Sequence, residues 1–171
     1  MKRFIALLIL AATSVQAHAD WRLEDGVAIA TPDQRNTSNI DAVVISCADP
    51  YLFEVYADGG PVRPSSGGTE TDYFYQPGKV RADVDGTFFP FVAAGSGEAV
   101  VLFAEGSAAN DYLGTNDPAF IAALKHGREM RIAFDIVEGG VSADGSPFET
   151  YAWFSLSGAA AVLDQALAGC M

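Results

Sequence analysis

From Val43 onward the chain alternates short apolar runs with glycine- and proline-bearing breaks, at the spacing of strands rather than helices. Val43-Val44-Ile45 leads into Cys47 and is broken by Asp49-Pro50; Tyr51-Leu52-Phe53-Glu54-Val55-Tyr56 predicts the next strand. The stretch from Asp58 to Asp72, rich in Gly, Pro, Ser and Thr, reads as a loop. Val80-Arg81-Ala82-Asp83-Val84 then alternates apolar and polar residues up to Asp85-Gly86, and Thr87-Phe88-Phe89 starts the return. An Asp-Gly between two such runs is the strongest local signal for a hairpin. Further strands are predicted over Glu98–Phe103, Met130–Ile136 and Phe148–Leu156, with Gly139-Gly140 and Asp144-Gly145 turning the chain.

Helical spacing occurs twice. In Asn116-Asp117-Pro118-Ala119-Phe120-Ile121-Ala122-Ala123-Leu124-Lys125-His126-Gly127, Asn or Asp caps the start, Pro sits early, and Lys and His precede a terminal Gly. Phe120, Ile121 and Leu124 share one face, which predicts a helix lying on the sheet. The second helix is predicted to start near Ser157 or Gly158, with Ser157 as its cap, a stripe of Val162, Leu163, Ala166 and Leu167, and a stop at Gly169. No internal repeat or second domain shows. The pattern predicts a mainly β domain: an antiparallel β-sandwich or curved sheet of about eight short strands, with two short helices, one of them C-terminal.

The first twenty residues change the picture of where this domain works. Lys2 and Arg3 precede an apolar run from Phe4 to Ala12, and Ala17-His18-Ala19 has the small-x-small form of a cleavage site. The run is too short to span a bilayer, so residues 1–19 read as a secretory signal peptide and residues 20–171 as a single secreted β domain. The expected location is the periplasm or the exterior, with no stable membrane insertion after cleavage. The full chain carries a formal net charge of −12, and loss of Lys2 and Arg3 makes it more negative. Such a charge argues against nucleic acid or anionic lipid as a partner. A 50% apolar and 19% charged composition supports a packed core rather than disorder.

Two cysteines, Cys47 and Cys170, are present. An even pair in an exported chain reads as a disulfide, here one that would pin the C-terminal helix to the sheet. The absence of C-x-x-C speaks against thiol redox catalysis. After cleavage His126 is the only histidine, at a helix end where the dipole favours a cation. One histidine and an oxidised cysteine pair leave no zinc set. Asp83-Val84-Asp85-Gly86 could open a calcium loop, but the twelfth position is Ala94 instead of a bidentate Glu. Ser155-Leu156-Ser157-Gly158 lacks the first glycine of a nucleophile elbow. No catalytic, metal or cofactor residues are therefore expected. The segment Tyr73-Phe74-Tyr75 is different: extended, it cannot turn all three rings inward, so it is the candidate partner surface, with packing under the loop as the simpler reading.

Several features occur together: Trp21 soon after the signal, a strand ending in Cys47, the hairpin VRADVDG, the unit FIAALKHGREMRIAFDI, and the ending FSLSGAAAVLDQALAGC. In these the chain resembles the small secreted β-sandwich proteins of the type VI secretion-associated TagO (VasI) family, and more loosely the invasion-associated locus B family. The resemblance implies a periplasmic accessory protein and supplies no catalytic residues; the long loop 58–72 departs from it. The reading is a non-catalytic envelope accessory or interaction module with a protein partner. Its alternatives are a carboxylate-based hydrolase of envelope glycans and a small-ligand binding protein using the aromatic loop 72–78.

Overall fold

The computed structural model describes residues 21–47, 51–57, 73–96, 99–106 and 115–170. The expected signal segment 1–19 and the loop 58–72 lie outside the described residues. The chain builds one antiparallel sheet from β1 (Trp21–Glu24), β2 (Val27–Ala30), β3 (Ile40–Ser46), β4 (Leu52–Ala57), β5 (Val80–Val84), β6 (Thr87–Ser96), β7 (Ala99–Ala104), β8 (Glu129–Phe134) and β9 (Thr150–Ser155). The spatial order is β1-β2-β3-β4-β7-β6-β5-β8-β9. Of the two architectures that the pattern left open, this is the curved sheet. Two strands precede those predicted: β1 and β2 turn at Asp25-Gly26, where φ is +48° and +83°. Asp85-Gly86 repeats that geometry at +48° and +89° between β5 and β6. Positive φ at both central residues is the hairpin geometry whose twist suits antiparallel strands.

Alternation decides the faces. Val80, Ala82 and Val84 of β5 are buried while Arg81 and Asp83 are not. Across the ladder Met130, Ile132 and Phe134 of β8 and Ala152 and Phe154 of β9 join the same core. The sheet curls far enough for its two end strands to be bridged. Along the open side of β9 the carbonyls of Tyr151, Trp153 and Ser155 accept from Thr37 N–H (2.9 Å), Asp33 N–H (2.7 Å) and the Trp21 indole N–H (2.8 Å). An edge that would otherwise invite strand addition is thereby satisfied from within the chain.

Both helices lie against the concave, apolar side. Helix α1 (Pro118–His126) starts at the Asp117 cap, whose carboxylate accepts from Ala119 N–H (2.7 Å). It buries Phe120, Ile121 and Leu124, and the Phe120 ring packs between Phe53 and Phe91 at centroid distances of 5.2 and 5.1 Å. Helix α2 (Ala159–Ala166) packs on β1, β2, β3 and α1, and Lys125–Asp164 (2.7 Å) links the two helices. Its start corrects the expectation of a Ser157 cap. The cap position is Gly158 in the left-handed region, without a side-chain bond, because the chain must reverse sharply out of β9 before the helix begins. Cys170, just past α2, is bonded to Cys47 at the end of β3, with a Cα–Cα distance of 5.3 Å.

Candidate functional site

The aromatic run Tyr73–Tyr75 forms a 3-10 turn, which rotates its three rings apart as an extended strand could not. Phe74 is fully buried, stacked on Tyr75 and edge-on to Phe134. Tyr75 sets its hydroxyl over Gly95, where any Cβ would collide with it. Tyr73 lies under the Lys79 ammonium, which donates to its hydroxyl and pairs with Asp135 at 2.8 Å. That contact with Asp135, then the one with Tyr73, raises the Lys79 pKa. The run thus places one ring in the core and two against its surroundings.

The remaining residues singled out for chemistry are spread apart. His126 is exposed at the end of α1. Asp83 accepts from Gly86 N–H (2.7 Å) and pairs with Arg131, while Asp85 accepts from Arg128 N–H (2.9 Å). Both carboxylates hold the hairpin and its neighbours. Among the described residues no three His, Cys, Asp or Glu side chains gather as a metal set. A shallow pocket of about 150 Å³ is lined by Phe89, Pro90, Phe91 and Phe120, with Glu105 and Asp117 among its walls. Both acids are engaged, Glu105 with Gly78 N–H (2.9 Å) and Asp117 as the α1 cap.

The structure concentrates cations and aromatics elsewhere, on the convex face of β5, β8 and β9. The register sets Arg81 beside Ala133, Asp83 beside Arg131, and Arg131 beside Trp153. The guanidinium of Arg131 lies 5.2 Å from the ring centroids of both Tyr151 and Trp153. Arg35, from the segment that covers the β9 edge, lies over the same Trp153 ring at 4.6 Å. The Arg81 guanidinium lies 4.5 Å from the Phe88 ring centroid and 4.3 Å from that of Phe148. Such contacts are worth roughly 0.5–1 kcal/mol each when exposed, and they fix a flexible side chain in one plane.

Charge on this face is mostly balanced. Arg35 pairs with Asp33 and Glu129, and these contacts, Asp33 first, raise its pKa beyond the usual guanidinium range and lower that of Asp33. Arg131 pairs with Asp83 at 3.2 Å. Arg81 has no ion pair among the described residues, and its Nε–H is buried without a protein acceptor. Nothing in the local sequence around Arg81 marks it. The signal was the outward position in VRADV, and it becomes readable once the partner strands are known.

No family model matches the chain, and no curated protein matches it by sequence. Among solved structures the chain is similar to invasion associated protein B from Bartonella henselae, at 15% identity and a TM-score of 0.48, over 83% of each chain.

Proposed function

We propose that the protein is a non-catalytic interaction module of the cell envelope, exported through its N-terminal segment, and that it docks a protein partner on the convex face of β5, β8 and β9. One observation carries this reading: three guanidinium groups, Arg35, Arg81 and Arg131, are held on aromatic rings across neighbouring strands. Arginine and aromatic residues are the types enriched where protein surfaces recognise one another, and rigid ones lose little entropy on binding. The expected partner presents apolar groups with localised negative charge. The competing hydrolase reading would run through Asp135 and Glu149, which flank the end of the β8–β9 ladder. One oxygen of Asp135 is tied to Lys79 (2.8 Å) and one of Glu149 to Ile136 N–H (2.9 Å), while the second oxygen of each is buried, out of reach of a substrate arriving from solvent. That favours the module.

Site-specific photo-crosslinking tests the reading in the cells that produce the protein. A photoreactive side chain replacing Phe88, 55% exposed beside Arg81, is expected to give a discrete adduct. One replacing Leu23, 43% exposed on β1, is expected to give none. Equal adducts at both positions, or none at Phe88, would overturn the assignment of the face.

A further inference from the structure

Arg22, Arg35, Lys79, Lys125, Arg128 and Arg131 each have a carboxylate within 3.7 Å. Arg81 is the exception among the described residues, in a chain of 22 acidic side chains where a counterion would be easy to supply. It is nevertheless held firmly. Pro90 and Ala133 are its cross-strand neighbours, and its guanidinium carbon lies 4.5 Å from the Phe88 ring centroid and 4.3 Å from that of Phe148. Ring contacts of this kind engage the π-side of the group; with the Nε–H buried, its two terminal NH2 groups are the donors left for an acceptor approaching end-on. We propose that Arg81 is a receptor for a single carboxylate of the docked partner, with the exposed Phe88 ring receiving the apolar group beside it. This rests on the interaction-module reading and names the chemistry that the module recognises.

Charge complementarity selects the occupant. The whole chain carries a formal net charge of −12. A polyanion or an anionic membrane would meet repulsion from the surrounding surface, while one carboxylate meets mainly the nearest charges. At physiological salt, interactions between exposed charges beyond about 8 Å are largely screened. A planar carboxylate matches the guanidinium fork with two parallel hydrogen bonds, which a lysine could not offer. Two sources carry that group, an Asp or Glu side chain and a chain terminus.

Titration of the 15N-labelled protein with short peptides separates the sources. The probes are N-acetyl-Leu-Asp-Leu-amide with its Asn counterpart, and N-acetyl-Leu-Leu as free acid and as amide. The expected result is that one acid moves the resonances of Arg81, Phe88 and Phe148, while its uncharged counterpart binds at least about tenfold more weakly. Arg81→Gln should abolish the preference for the acid, and Arg81→Lys should retain only part of it. Phe88→Ala, at an exposed position, should weaken both members of the pair and spare the fold. Equal binding of acid and uncharged partner, a preference that survives Arg81→Gln, or no response to any probe would overturn the carboxylate receptor. Crosslinking from Phe88 in the cell would still stand or fall by itself, so failure of the receptor and failure of the docking face are told apart.

Discussion

The turn that leads into β9 is organised by one carboxylate. Asp144 accepts from the Ser142 hydroxyl and from Ser146 N–H (3.0 Å), while the Ser146 hydroxyl meets that of Tyr151 at 2.6 Å. The network places the Tyr151 ring where Arg131 lies over it. These bonds, the Ser142 hydroxyl first, lower the Asp144 pKa to about 2. A carboxyl lowered in this way stabilises the turn above its ordinary value of 3.8, and the contribution is lost as pH falls through about 2. Titration of the Asp144 carboxyl by NMR should show a midpoint near 2, and Ser142→Ala should move it toward 3.8. A midpoint that Ser142→Ala leaves in place would refute this account. Little of the surrounding face is legible residue by residue. Arg131 and Trp153 lie far apart along the chain and meet through register alone, as do Asp83 and Arg131. Register depends on which strands pair, and local alternation does not say that.

At the scale of elements, legibility follows how local the cause is. The β5–β6 hairpin is readable because Asp85-Gly86 can hold positive φ at both positions. Gly86→Ala forces a side chain into a φ of +89° and should cost about 1 to 2 kcal/mol. Urea unfolding measures this, and an unchanged midpoint would contradict the turn's role. Asp25-Gly26 bears the same signal, yet β1 and β2 are four residues each and escape a reading that looks for longer runs. Helix α1 is readable from its cap, proline and terminal glycine, all of which act within the segment. The cap of α2 is not, because Gly158 answers to the direction in which β9 delivers the chain. Tyr73–Tyr75 is hidden for a similar reason. The burial of Phe74 against Phe134 selects a 3-10 turn that alternation cannot foresee.

At the scale of the molecule, two kinds of long-range tie hold the curled sheet. The disulfide joins residues separated by 123 positions and fixes the chain after α2 to the end of β3. Its even cysteine pair was readable, as was the general β class. The curl was readable only as one of two alternatives beside a sandwich, and the bridge between the end strands was not readable, since both arise from contacts spread over the whole chain. Cys170→Ser should lower stability by about 2 to 5 kcal/mol, chiefly by enlarging the unfolded ensemble. Denaturant unfolding of the oxidised wild type beside the variant checks this, and a negligible difference would count against the bond as a staple.

The bridge along β9 has a consequence for how assembly can be watched. The chain has two tryptophans, and both stand at that junction. Trp21 donates to the Ser155 carbonyl, and Trp153 accepts from Asp33 while its ring lies under Arg35. The groups joined there are more than a hundred positions apart, so loop-closure entropy makes this among the costliest pairings to form. The emission of the intrinsic fluorophores therefore reports on the seam where the start of the described chain meets the last strand, while the far-ultraviolet signal averages over the whole sheet.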